Sequence, residues 1–173
     1  MEESESETRE GMILIALGSN LSSESYGAPL KNCLSAMDKL KKKFDILAVS
    51  NFYKTEPIPQ SSQPWYVNGV ICVRTDKSPK VILEELLFIE KKFLRTRNIK
   101  NEPRIIDLDL LSYHNKIVDT VDLILPHPRM HLRKFVMKPI CDINEDWVHP
   151  KLKKKAKILI KDLANQKIFN IKM

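Results

Sequence analysis

Two acids one residue apart, Asp107 and Asp109, lie in the segment Pro103-Arg104-Ile105-Ile106-Asp107-Leu108-Asp109-Leu110-Leu111. The run Ile105 to Leu111 reads as a strand, and on a strand successive side chains point to opposite faces. Asp107 and Asp109 are then expected to share one face with Ile105, while Ile106, Leu108 and Leu110 face the core. Carboxylates at i and i+2, about 7 Å apart along a strand, can both reach one or two hard cations. Magnesium suits such a pair, because it takes a few carboxylate oxygens and completes its shell with water and substrate phosphates. On spacing alone, a solvated strand face bearing two acids is the commoner outcome. The neighbours shift that balance: Arg95, Arg97, Lys100 and Arg104 precede the pair, and His127, Arg129 and Arg133 follow it.

The usual backbone cradles for phosphate are absent. The chain has four glycines, Gly11, Gly18, Gly27 and Gly69, where average usage would give about twelve. No Gly-rich nucleotide loop can be assembled from them. A bound ATP must therefore be neutralised by metal and by Arg, Lys and His side chains. A second group of chemical interest runs from Tyr53-Lys54-Thr55-Glu56-Pro57 to Gln63-Pro64-Trp65-Tyr66-Val67-Asn68. Rings and amides flanking a proline-stiffened loop suit a flat heterocycle, stacked on its faces and read along its edge. Core packing accounts for Phe52 and Trp65 at least as well.

The elements that must position these residues follow from periodicity. Ile13 to Leu17 is a short buried strand ending at Gly18-Ser19-Asn20, and a helical stripe from Pro29 uses Leu30, Leu34, Met37, Leu40 and Phe44. Ile46 to Tyr53 and Tyr66 to Thr75 read as strands. The stretch Glu56 to Pro64 must be a loop, since its three prolines cannot donate to a ladder. Ser78-Pro79 offers an N-cap with proline at the first helical position, followed by the stripe Ile82, Leu83, Leu86, Ile89, Phe93. Arg95 to Pro103 reads as a loop, residues 113–129 as a short hairpin and turn, and Met130 to Ile140 as a helix. Lys153 to Leu163 reads as a basic amphipathic helix. The resulting order over residues 12–111, strand–helix–strand–strand–helix–strand, predicts an α+β fold with a ferredoxin-like βαββαβ core, helices packed on a mostly antiparallel sheet, and a C-terminal extension.

At 173 residues the chain is long enough for one domain with a sizeable core. Residues 1–11 read as a disordered acidic leader and residues 12–173 as a single domain. That leader carries five acids and Arg9, leaving 28 basic against 17 acidic residues, or +11, on the remainder of a chain whose formal charge is +7. Such an excess favours polyanionic partners, either nucleic acid or a nucleotide with its phosphates. A basic nucleic-acid-binding module would use the lysines from Lys151 to Lys157, yet no RNA-binding aromatic motif accompanies them. Cys33, Cys72 and Cys141 have no metal-site or redox-motif spacing, and no apolar run is long enough to span a membrane. The expectation is a cytoplasmic protein with reduced thiols. His114, His131 and His149 read as surface or turn histidines, and Trp147 as packing the carboxy-terminal region onto the core.

Five segments, taken together, resemble the 6-hydroxymethyl-7,8-dihydropterin pyrophosphokinase family of folate biosynthesis. They are Ala16-Leu17-Gly18-Ser19-Asn20-Leu21, Phe52-Tyr53-Lys54-Thr55-Glu56-Pro57, Gln63-Pro64-Trp65-Tyr66-Val67-Asn68, Pro103-Arg104-Ile105-Ile106-Asp107-Leu108-Asp109 and Pro126-His127-Pro128-Arg129-Met130. They occur in the family's order and spacing from about Ile13 to about Pro150. The resemblance implies transfer of pyrophosphate from ATP, as co-substrate, to the hydroxymethyl group of a pterin. It implies two magnesium ions on Asp107 and Asp109, with Arg95 and Arg104 neutralising the transferred group. It also implies triphosphate or nucleotide contacts by Glu90, Arg97, His127 and Arg133. Tyr66 and Phe135 would sandwich the pterin, Asn68 would read its edge, and the Thr55 loop would contact it through backbone. ATP and pterin are the expected partners, without nucleic acid or membrane, in a monomer or weak dimer. The chain departs from the commonest family pattern at Leu87, Leu94 and Lys100-Asn101-Glu102, and the loop preceding Pro103 is one residue shorter; the alternative reading these departures motivate is a catalytically impaired pterin-binding homologue.

Overall fold

The computed structural model describes residues 11–93 and 105–173. The expected leader, apart from Gly11, and the segment holding Leu94, Arg95, Arg97, Lys100, Asn101, Glu102 and Arg104 lie outside the described residues. Strand β1 (Ile13–Ser19) is followed by helix α1 (Pro29–Lys41), strands β2 (Asp45–Val49), β3 (Tyr53–Thr55) and β4 (Tyr66–Arg74), helix α2 (Pro79–Phe93) and strand β5 (Asp107–Tyr113). A small hairpin, β6 (Val118–Asp119) and β7 (Ile124–Leu125), leads to a 3-10 turn at Met130–Leu132 and helix α3 (Lys134–Asn144). Helix α4 (Ala156–Leu159), a 3-10 turn at Ile160–Leu163 and strand β8 (Ile168–Asn170) complete the order.

The main sheet has six strands in the order β5-β1-β4-β3-β8, with β2 also paired to β4, and every pairing is antiparallel. The expected strand Ile46 to Tyr53 is two strands, because the chain breaks at Ser50-Asn51-Phe52 and pairs afresh along β4. Treated as one interrupted strand, β2 and β3 complete the βαββαβ connectivity with the outer strands flanking β1 and β4. This is the ferredoxin-like arrangement expected from the element order.

Alternation on the strands divides the core in two. Ile13, Ile15 and Leu17 of β1 and Leu108 and Leu110 of β5 pack with Cys33, Ala36 and Leu40 of α1 and with Ile82, Leu86, Ile89 and Phe93 of α2. The opposite face contributes Leu14, Val70, Cys72 and Leu111 to a second cluster with Val136, Met137 and Ile140 of α3, together with Trp147, Leu159 and Leu163. Trp147 thus ties the C-terminal region to the sheet, as expected. A register shift between Leu14 and Ile15, opposite Leu110 to Ser112, swaps the faces at the end of β5, which puts Tyr113 in the first cluster. Ser78 caps α2 by accepting a hydrogen bond from the Val81 N–H at 3.3 Å.

Four further expectations are corrected. Helix α3 runs beyond Ile140 to Asn144 with Pro139 inside it. Its last turn is held by Asp142, which accepts hydrogen bonds from the Tyr53 hydroxyl and the Lys138 ammonium. The basic helix expected over Lys153 to Leu163 is limited to α4 and a 3-10 turn, and Lys155 and Lys157 instead pair with Asp146. Ile105 precedes β5 and packs against the α1/α2 cluster, so its face is not set by the strand alternation. His149 is 2% exposed: its Nδ1 accepts the backbone N–H groups of Lys151 and Leu152 at 3.2 and 3.1 Å. Burial pushes its pKa down from 6.5 to about 4. Among the described residues, no helix is long and apolar enough to cross a membrane.

Gly69 illustrates how closely β4 is packed. A Cβ there would lie 2.6 Å from the buried Phe52 ring. Gly69→Ala is expected to destabilise the fold by about 1–3 kcal/mol through overpacking, read from the midpoint of urea unfolding with an unchanged slope.

Candidate active site

The cleft is built on the α3 side of the sheet, and its floor is a cross-strand row. Asp107 of β5 pairs with Gly18 of β1, and Gly18 pairs with Asn68 of β4. Directly opposed residues share a face, so a carboxylate and an amide stand on either side of a residue with no side chain. One step along, Asp109 pairs with Ala16, which pairs with Val70. Small residues on β1 therefore leave open space between the acids and Asn68. A Cβ on Gly18 would fall 2.7 Å from the Asn68 amide oxygen, so any side chain there would displace that amide. The space is a cleft of about 480 Å³ lined by Thr55, Tyr66, Asn68, Asp107, Asp109, His127, Arg133 and Phe135.

Each wall has a local cause. The Asn68 Nδ2 donates to Thr55 Oγ1 at 2.7 Å, which fixes the amide's orientation and joins β4 to the start of the proline loop. Asn20 is 2% exposed, and its Nδ2 donates to the Pro64 carbonyl at 3.1 Å and the Gln63 side chain at 3.3 Å. The end of β1 is thus tied to the far end of that loop, whose Pro57, Ile58, Ser61 and Gln63 border the cleft. On the opposite side, the His127 N–H donates to the Leu111 carbonyl at 2.8 Å, hanging the His127 segment from β5. Glu90 is 3% exposed and accepts the Leu108 N–H at 2.9 Å. Leu108 lies between the two aspartates on an edge strand, so the α2 carboxylate stands where a neighbouring strand's carbonyl would.

The site's charge pattern is mixed. His127 is held well below an ordinary histidine, at about 4, first by burial and then by the positive charge of Arg133, with Asp107 acting in the opposite sense. Its Nδ1 accepts the Arg129 N–H at 3.2 Å, which places the proton of the neutral ring on Nε2. It is then an uncharged donor at pH 7. Burial lowers the Arg133 pKa from its ordinary value, while Asp109 and Asp107 raise it; its guanidinium lies 5.5 Å from the centre of the Phe135 ring.

Hard-cation chemistry fits this donor set. Asp107 and Asp109 project from one face of one strand into the cleft, while no group of three or more His, Cys, Asp or Glu side chains forms a metal site among the described residues. Two carboxylates with room beside them match a cation that completes its shell with water and phosphate oxygens.

Eight of the expected site residues converge on the cleft. Glu90 does not line it but braces the strand beneath, and Arg95, Arg97 and Arg104 lie outside the described residues. Trp65 stacks on Phe169 of the tail at 5.8 Å, and Phe52 is 1% exposed in the core. Sequence reasoning missed the spacing role of Gly18 and Ala16 and the tether made by Asn20. The scarcity of glycine was a usable signal for the first.

The ferredoxin-like sheet thus carries a cleft that sets paired carboxylates against a guanidinium, a neutral imidazole and a ring-walled amide. Residues 14–145 match the family 7,8-dihydro-6-hydroxymethylpterin-pyrophosphokinase (HPPK). The chain is 37% identical over 159 residues to the 2-amino-4-hydroxy-6-hydroxymethyldihydropteridine pyrophosphokinase of Haemophilus influenzae, covering 91% of this chain and 96% of that one. It is 41% identical over 139 residues to the folic acid synthesis protein fol1 of Pneumocystis carinii, covering 80% of this chain and 18% of that longer one. The chain belongs to the HPPK family. Among solved structures, it superposes on a Plasmodium falciparum HPPK-DHPS at TM-score 0.68 and 13% identity, over 88% of this chain and 44% of that chain; this likeness concerns the fold.

Two outcomes are expected. Gly18→Ala should raise KM for the heterocyclic substrate more than it alters melting temperature, because the methyl displaces Asn68. In NMR titrations the His127 ring should titrate near 4 and move up towards 6.5 in Arg133→Ala. Since the folded value lies below the unfolded one, this ring's contribution to stability is complete above pH 6.5 and lost as pH falls through about 4.

Proposed function

We propose that this chain transfers pyrophosphate from ATP to the hydroxymethyl group of 6-hydroxymethyl-7,8-dihydropterin, releasing AMP, as a step of folate biosynthesis. The observation that carries the reading is the row Asp107–Gly18–Asn68, with acids for a metal–triphosphate at one end and an amide for a heterocycle's edge at the other. Family membership supplies the substrates, since the Haemophilus influenzae relative is named for that activity.

In this reading the pterin ring lies between Tyr66 and Phe135, with Asn68 hydrogen-bonding its edge and the Thr55 loop presenting backbone groups. The hydroxymethyl oxygen attacks the β-phosphorus of ATP. A new oxygen–phosphorus bond forms, the bond from the β-phosphorus to the bridging oxygen breaks, and that oxygen leaves on AMP while the hydroxyl proton passes to solvent. Catalysis of this kind depends on positioning and charge stabilisation more than on covalent participation. Two magnesium ions held by Asp107 and Asp109 would neutralise phosphate charge and hold the triphosphate in line. Arg133 and the neutral His127 donate to phosphate oxygens. Glu90 keeps β5, and with it both aspartates, in register. By the family resemblance, Arg95 and Arg104 would neutralise the transferred group and Arg97 would contact the nucleotide. A cytoplasmic location suits a site fed by ATP and a chain whose cysteines are free thiols.

Asp109→Asn keeps the shape of the side chain and removes its charge. It should abolish AMP release from ATP and pterin while leaving the far-ultraviolet circular dichroism unchanged. Near-normal AMP release would remove the proposal.

A further inference from the structure

The tail beyond the family-matched residues makes a contact that bears directly on the cleft. Gln166 Oε1 accepts the Lys134 N–H at 2.8 Å, and its Nε2 donates to the Leu132 carbonyl at 2.8 Å. These partners are the residues immediately before and after Arg133. One planar amide therefore grips both neighbours of the residue that joins the 3-10 turn to α3. Arg133 is extended there, with φ −120° and ψ 111°, between two helical segments. A lone extended residue between two helical segments is a joint, and its side-chain direction depends on what fixes the flanking residues.

The Arg133 N–H donates to the Met130 carbonyl at 3.2 Å and its carbonyl accepts the Val136 and Met137 N–H groups at 3.0 Å; the Gln166 amide adds a clamp on either side of these bonds. A second cavity, of about 270 Å³, shares Thr55 and Phe135 with the cleft and is bounded by Gln166, so the wall carrying Phe135 has space behind it. Gln166 is itself anchored: its N–H donates to the carbonyl of the buried Leu163 at 3.2 Å, and β8, just beyond it, pairs with β3 through Ile168 and Thr55. The amide links a core-packed segment to the joint.

We propose that Gln166 is a positioning residue for transfer. Its amide holds Arg133 towards the triphosphate and Phe135 against the pterin. The inference rests on the pyrophosphoryl-transfer reading, but its binding test does not.

The test uses the full chain with Gln166→Leu, Gln166→Glu and, as a control, Asp146→Ala, which removes the ion pairs to Lys155 and Lys157. AMP release gives kcat and KM, and calorimetry gives affinity for magnesium α,β-methylene-ATP, both at 25 °C on samples shown to be folded. Gln166→Leu should lower kcat/KM by about tenfold, the scale expected for displacing a substrate-contacting group by less than an ångström. It should also weaken analogue binding, while Asp146→Ala matches the parent in both. A protonated glutamic acid can both donate and accept as the amide does, so the activity of Gln166→Glu relative to the parent should rise as pH falls from 8 to 5. Parental kcat/KM and analogue affinity in Gln166→Leu, an equal loss in Asp146→Ala, or a flat Gln166→Glu ratio overturns the proposal. If the parent chain makes no AMP, the functional reading fails on its own, and analogue binding alone decides the role of Gln166.

Discussion

The structure depends on a gap in a row of side chains. In an antiparallel sheet, directly opposed residues share a face and ordinarily fill it. Where β1 passes between β5 and β4, its residues on the cleft face are Ala16 and Gly18, so the face stays low between Asp107 and Asp109 on one side and Asn68 on the other. The strand pairing continues through the gap on both sides of β1. A site on such a floor has fixed spacing between its charged and uncharged ends.

The rest of the fold serves that floor from two sides. Helices α1 and α2 bury the opposite face with Leu, Ile and Phe side chains, and α2 also sends the Glu90 carboxylate to Leu108. Helix α3 covers the cleft face and brings Phe135 and Arg133 with it. The Tyr53–Asp142 hydrogen bond ties that helix to the strand carrying Thr55. Secondary structure sets which residues share a face, and buried polar bonds set where the walls stand.

Much of this was readable in the sequence because it is local. The alternation around Asp107 and Asp109, the proline loop and the stripe from Ile82 to Phe93 are periodic signals that tertiary contacts had no reason to override. What escaped reading depends on partners distant in the chain. Ile168-Phe169-Asn170 is too short to read as a strand until β3 offers it a ladder. The chain continues as helix through Pro139 because Ile140 is buried and Asp142 is bonded from another element, which no window around the proline contains. His149 likewise packs against the rings of His131, eighteen residues back, and Trp147, while its Nδ1 accepts the nearby N–H groups of Lys151 and Leu152. The resemblance included Ala16 and Gly18 in one of its segments but gave neither a role, and it did not reach the tail.

The central claim is that the aspartate pair is where a metal–triphosphate is held, beside the gap and across it from Asn68. Anomalous diffraction from crystals grown with manganese, a non-hydrolysable ATP analogue and pterin tests this most directly. The account predicts metal peaks coordinated by both Asp107 and Asp109, with the pterin edge on Asn68. Peaks away from either carboxylate, or a nucleotide bound outside the cleft, would contradict it.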